Sequence, residues 1–385
     1  MKKIILPLLF GIVLLVQCNQ EPMYRNNYSL EATRDLKEFE IGDLSRNFSE
    51  CIQYVNDNDS SYLAVLSRRL NRIEYYNLIT GNLTKETPIK VEGDNSFYRI
   101  LAFIVKNTDS ILVVSQMPQF IGIVNGQGEV LKKIEYIQDL TGKTVVPTHP
   151  LLGARPLLLG SSILLSQSYR TDQTKGILTE DQQKKTYLNV AIDLKTGICR
   201  LLPLVYPASL IGKDISGIRI FRTLSPDHEF IYHFGNINGL FVSKNGVDFK
   251  QVQLETNYNL RFLESRWRYL NDYKAYERVC LANDEVQDIL YDNYRQCYYI
   301  IVRQRMDQLD AMTDFQQKFL FPHCFIIILD NNLKHMGELY LPDNTYSVKM
   351  VFIASEGLYI SEDHPGNLMF NENKMRFRLF KLTKL

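Results

Sequence analysis

Six histidines, six cysteines and 43 acidic residues give this 385-residue chain ample raw material for chemistry, yet their spacing organises little of it. His149, His228, His233, His323, His335 and His364 include no His-Glu-x-x-His pair, the arrangement that puts two zinc ligands on one helix face. His228 and His233 lie five apart, so a strand running through both would point them to opposite faces. Asn56-Asp57-Asn58-Asp59-Ser60 has the look of a calcium loop. It lacks the glycine at position six, and Arg68 stands where the terminal glutamate belongs. A polar turn between strands accounts for it better. Gly-x-Ser-x-Gly, phosphate loops, the Rossmann glycines and Cys-x-x-Cys are all missing. Glycosidase chemistry needs two carboxylates at a set separation in space, which loop spacing does not reveal. These observations predict neither a metal site nor a cofactor.

One constellation fits recognition. Arg266, Trp267, Arg268 and Tyr269 bring together the only tryptophan, two guanidinium groups and a phenol, with Tyr273 and Tyr276 close behind. Aromatic faces beside arginines suit sugar stacking or a protein hot spot. They equally suit a packing role, in which Trp267 and Leu270 pin a loop to the body of the fold.

The remaining functional signal is an address. Lys2 and Lys3 precede an apolar run over 4–16, which stops at Cys18. That run is shorter than the ~20 residues a spanning helix needs and matches an export leader. Cys18 follows Leu15-Val16-Gln17, so the chain reads as a lipoprotein precursor cut before Cys18. Gln17 departs from the small residue usual at that place. Two acyl chains on Cys18 would give stable membrane retention. Residues 1–17 are thus expected to be a signal peptide and 18–35 an anchor linker. Loss of Lys2 and Lys3 would move the formal charge from +1 to −1. A nearly neutral chain without a basic block offers nothing to nucleic acid. Cys51, Cys199, Cys280, Cys297 and Cys324 are unpaired in spacing, and several sit in apolar strand-like runs, where thiols act as small hydrophobes.

The elements that must position any site are β-strands. Runs of Ile, Leu, Val, Tyr and Phe alternate with Gly, Asn and Asp turns, and an aromatic content of 11% excludes a disordered chain. The turns share a grammar: Asn77-Leu78-Ile79-Thr80-Gly81 and Asp193-Leu194-Lys195-Thr196-Gly197 both read Asn/Asp-Leu-x-Thr-Gly between strands. Asn125-Gly126-Gln127-Gly128, Asn245-Gly246 and Asp330-Asn331-Asn332 fill the same slot. A module of roughly 40–50 residues with four short strands is a propeller blade. Six are expected, over 49–95, 97–140, 150–205, 215–256, 285–342 and 345–385. The last lacks a strand unless 36–41 returns to complete it, closing the ring from both termini. A seven-bladed ring or paired β-sandwiches would share this periodicity. Residues 168–185 read as a solvated hairpin loop, 262–290 as a partly helical insertion, and 306–319 as a short amphipathic helix.

Three resemblances support this. Leu224-Ser225-Pro226-Asp227-His228-Glu229-Phe230 resembles the Ser-Pro-Asp-Gly strand opening of TolB-like propellers. Residues 240–249 resemble an Asp-box hairpin, Ser-x-Asp-x-Gly-x-x-Trp, with Asn245 near the Asp and Phe249 replacing Trp. With the leader, the chain resembles the propeller lipoproteins of unknown function common in Bacteroidetes. The resemblance implies an all-β, six-bladed propeller over 36–385 and a place in the cell envelope, at the outer membrane. It brings no activity. The Asp-box suggests sialidases, but the arginine triad and Tyr–Glu pair of those enzymes have no matched set here. The expectation is a lipid-anchored, non-enzymatic binding module for a protein or glycan partner, with Arg266, Trp267, Arg268 and Tyr269 as candidate contacts. An envelope enzyme acting on carbohydrate or peptide in the funnel is the alternative.

Overall fold

Apolar runs as continuous as Cys324–Asp330 signal strands covered on both faces. In the computed structural model such strands form six four-stranded antiparallel sheets. The structure describes residues 24–385 except 43–44, 58–59, 108, 148–154, 168–178, 214–218, 236, 245, 263–271 and 307–322; the side chains of Tyr273 and Tyr276 are also outside it.

The chain opens with β1 (Tyr28–Glu40). Blade 1 follows as β2 (Ile52–Asp57), β3 (Ser60–Ser67), β4 (Arg72–Asn77) and β5 (Leu83–Pro88). Blade 2 is β6 (Arg99–Asn107), β7 (Ser110–Met117), β8 (Phe120–Val124) and β9 (Val130–Glu135). Blade 3 is β10 (Leu157–Leu159), β11 (Ser162–Ser166), then, after helix α1 (Glu180–Lys185), β12 (Asn189–Asp193) and β13 (Cys199–Leu201). Blade 4 is β14 (Ile220–Leu224), β15 (Phe230–Phe234), β16 (Leu240–Ser243) and β17 (Lys250–Val252). Helix α2 (Tyr273–Leu281) leads to blade 5, with β18 (Glu285–Asp292), β19 (Cys297–Arg303), β20 (Cys324–Asp330) and β21 (His335–Leu341). Blade 6 has β22 (Ser347–Ala354), β23 (Gly357–Ser361) and β24 (Lys374–Lys384).

The missing fourth strand of blade 6 is β1, which pairs with β24 from Tyr28↔Lys384 to Glu40↔Lys374. The protein is therefore a six-bladed β-propeller closed by strands from both termini, so that blade 6 has four strands like the others. The closing strand starts at Tyr28, not at residue 36, so 28–35 belong to the ring and not to a linker. Its register shifts between Ala32 and Leu36. The polar stretch Thr33-Arg34-Asp35 is that irregularity, and it hides the strand's alternation.

Packing follows from the ring. Six apolar clusters each fill the wedge between two neighbouring blades. At the closure, Phe39 is fully buried and meets Tyr76 and Phe377 edge-on, joining the N-terminal strand to blades 1 and 6. Gly81 sits beside it at φ 73°, where a Cβ would collide with the Glu38 carbonyl. Only glycine tolerates both constraints.

Adjacent strands alternate in direction, so the two ends of the ring receive different connections. First-to-second and third-to-fourth strand turns leave at one end; second-to-third and blade-to-blade connections leave at the other. Every long connection belongs to the second set: 136–156, 167–188, 202–219, 253–284, 304–323 and 362–373. The opposite end carries tight turns alone. The 168–185 segment is not simply a solvated loop. Its described part is α1, with a Thr179–Gln182 capping box. The buried Gln183 side chain donates to the Lys213 carbonyl (2.8 Å) and accepts from Gly212 N–H (2.8 Å). The helix is thereby fastened to the connection entering blade 4.

Candidate functional site

The tight-turn end is built by local side-chain bonds. Asn77 Oδ1 accepts from the N–H groups of Ile79 and Thr80, both at 2.9 Å. Asp193 Oδ1 does the same for Lys195 and Thr196, at 2.9 and 2.7 Å. The Ser-Pro-Asp segment is such a turn as well: Ser225 Oγ accepts from Glu229 N–H (3.0 Å), and His228 takes the positive φ, 62°, at the place of the usual glycine. His228 thus lies in a turn and not on a strand face. In the Asp-box-like hairpin, Ser243 Oγ accepts from Gly246 N–H (3.1 Å), and Phe249 packs edge-on against Tyr232, Phe234 and Phe241. These motifs make the fold; they present no chemistry.

The other end differs. From here the first strands of five blades, β2, β6, β10, β18 and β22, or residues adjoining them, surround a central cavity of about 460 Å³ that runs through the ring, from Glu50 and Arg155 at this end to Asn293 and Tyr294 in the β18–β19 turn. Its wall carries Gln53, Tyr54, Phe103, Arg155, Tyr294 and Phe352. The Gln53 amide grips the neighbouring blade, donating to the Val105 carbonyl (2.9 Å) and accepting from Val105 N–H (2.8 Å). Tyr54 lies parallel to Phe352 at 6.4 Å.

Charged side chains gather where the first strands begin. Arg155 Nη2 donates to Asp288 Oδ2 at 2.7 Å, tying blade 3 to blade 5. A bulge in β18 between Val286 and Asp288 re-aims the carboxylate. Asp288 is buried, and burial pushes its carboxyl above the usual range, while Arg155 and the Ile289 N–H pull it partly back. Glu285 stands 3.5 Å from Arg219 Nε and 3.6 Å from Arg303 Nη2. Burial lowers the Lys349 amine; Arg219 adds to that lowering, and Glu50 and Glu285 oppose it. The Cys51 thiol is pushed up by burial against the pull of Arg68 and Arg155, which makes it a poor nucleophile. Burial and specific charge partners thus shift a carboxyl and an amine beside the channel and a thiol in its wall, a pattern that marks candidate functional sites.

Cys18, Arg266, Trp267, Arg268 and Tyr269 lie outside the described residues, as does His149. The connection carrying the Arg-Trp-Arg-Tyr run is anchored beyond it. Arg261 N–H bonds Asp284 Oδ2 (2.6 Å), and Asp284 Oδ2 also receives Arg305 Nη1 (2.9 Å). Arg155 and Asp288 are barely marked in the amino-acid sequence. The one available signal was polar Glu285-Val286-Gln287-Asp288 opening a strand that is otherwise apolar. Among the described residues, no group of three His, Cys, Asp or Glu side chains is arranged to hold a metal ion. No described helix is long and apolar enough to cross a membrane.

A six-bladed ring whose long connections gather at one end defines the class, a six-bladed β-propeller. More particularly, the chain belongs to the family DUF4221, a domain of unknown function, whose family model matches residues 27–340. A crystal structure of a member of that family from Bacteroides vulgatus is similar to it, at 20% identity and a TM-score of 0.82. That match covers 94% of this chain and 100% of the other. A protein of Bacteroides fragilis whose name describes it as exported is similar at 10% identity and a TM-score of 0.50, covering 93% of this chain and 96% of that one. No curated protein matches the chain.

Proposed function

We propose that this protein is an envelope propeller, held to the membrane by lipid on Cys18, that acts as a non-enzymatic binding module. Its partner, a protein or a glycan, sits over the long-connection end of the ring with the channel mouth beneath it. The observation that carries this reading is the segregation of every long connection to the end where the buried charges gather. Loops positioned by a rigid scaffold are where binding residues concentrate. The leader ending at Cys18 and the similarity to an exported Bacteroides protein support the envelope location.

The test places a photo-crosslinking residue at Arg69, on the long-connection end, or at Gln127, in a tight turn at the other end, in the native envelope. Crosslinking to one partner from position 69 alone is expected. Equal trapping from both positions, or from 127 only, would refute the reading. One observation favours a second reading, an envelope enzyme acting on carbohydrate or peptide in the channel: the raised carboxyl of Asp288. Turnover of an oligosaccharide or peptide that disappears in Asp288→Asn, with the fold intact, would decide for it.

A further inference from the structure

We propose that the long-connection end binds an acidic oligosaccharide in a groove running from the channel mouth outward over blade 1. This rests on the binding-module reading and names its ligand class. A second hollow of about 500 Å³ lies between the 41–51 connection and the turn after β3, and it shares Glu50 with the central cavity. Arg68 joins the two. Its guanidinium bonds the Ile100 and Leu101 carbonyls and approaches Cys51 Sγ at 3.6 Å.

Charge balance in this hollow selects an anion. Arg46, Arg68 and Arg69 all line it, and none has a carboxylate partner among the described residues. Of its two carboxylates, Glu74 is already committed: Arg72 donates to it at 2.9 and 2.7 Å, Tyr76 at 2.8 Å and Ser45 at 2.7 Å. Glu50 is left against three guanidinium groups. Arginine forks match carboxylate and sulfate oxygens in bidentate geometry.

The choice of a glycan over an acidic peptide follows from the backbone. A bound peptide strand gains much of its affinity from pairing with a free sheet edge. Here the inner edge of β6 is occupied, by Gln53 on both polar groups of Val105 and by Arg68 on the Ile100 and Leu101 carbonyls. What remains open is guanidinium groups with an aromatic face beside them, Phe48, 41% exposed, in the outer hollow, with Tyr54 further along the channel. Such a surface takes sugar rings on its aromatic faces and their acidic groups on its arginines.

The experiment is calorimetric titration of the mature full-length protein with four probes: a galacturonic acid oligomer, a sulfated dextran oligomer, unsubstituted dextran, and a poly-glutamate peptide of matching charge. Arg46→Gln and Arg69→Gln are the variants; both side chains are exposed and bond nothing described, so melting should be unchanged. At least one acidic oligosaccharide should bind, more weakly as salt rises, and each variant should weaken it by about tenfold. The two acidic sugars distinguish carboxylate from sulfate recognition. Absence of binding by both, undiminished binding in both variants, equal binding of dextran, or tighter binding of poly-glutamate would overturn the proposal. Should that happen while crosslinking from position 69 persists, the ligand class alone falls. Loss of both results would remove the binding-module reading too.

Discussion

Both ends of the ring have bonds between blades, such as Arg295 Nη2 to the Ser355 carbonyl (2.6 Å) at the tight-turn end, but they differ in their connections. At the tight-turn end, Asn77, Asn125, Asp193 and Asp330 each bond backbone N–H groups two to four residues ahead. At the other end, Arg155 reaches Asp288 across 133 residues of sequence, and Gln183 reaches Lys213 across 30. Local bonds fix the shape of a hairpin whatever surrounds it, so they serve the fold. Bonds between distant segments exist only once the ring has closed, so they hold a constellation that no single blade could hold. The proposed division, structure at one end and recognition at the other, rests on this contrast.

Closure is therefore the first thing to break. Phe39→Ala removes a fully buried ring from the wedge between blades 6 and 1 and should cost about 4 kcal/mol; a denaturant midpoint shifted by much less would mean that β1 is not what closes the ring. Next in size is the long-range ion pair. Arg155→Met leaves Asp288 buried beside a neutral side chain and should cost about 2 kcal/mol, because one side of the pair is partly exposed. Arg155→Met with Asp288→Asn should recover most of that loss. Additive losses in the double variant would show that the two do not act as a pair.

A pH effect of similar size is expected at His233, which is fully buried between the rings of Phe221 and Phe262. Burial lowers its pKa from 6.5 to about 3. The unfolded chain thus binds this proton more readily, and His233 contributes stability above pH 6.5 that is lost as pH falls towards 3. Between pH 7 and pH 5 the loss should be about 2 kcal/mol. His233→Phe should flatten melting temperature over that range; an unchanged slope would mean that the ring is protonated in the folded state. The smallest effect belongs to the tight-turn end. Asn77→Ala should cost about 1 kcal/mol and leave ligand binding untouched, whereas an effect on binding would erase the division between the ends.

The same contrast explains what could be read from the sequence. Blade boundaries were legible because Asx-Gly turns and apolar runs are local, and 285–342 anticipates β18 to β21 closely. The closing strand was only half legible, since the bulge at 33–35 looks like a polar linker. The site was hardly legible. Arg155 is one arginine among many until ring closure sets it against Asp288, and Arg69 gains meaning only beside Arg46 and Glu50. Arg266, Trp267, Arg268 and Tyr269 drew attention by residue type alone, and they lie outside the described residues.

The central claim, that recognition belongs to the long-connection end, is tested most directly by hydroxyl-radical footprinting of the protein in its native envelope against the purified chain. Protection should fall on Phe48, in the 41–51 connection, and spare Ile79 and Val247 in the turns of the opposite end. Protection centred on Ile79 and Val247, or an identical footprint in both samples, would contradict the account.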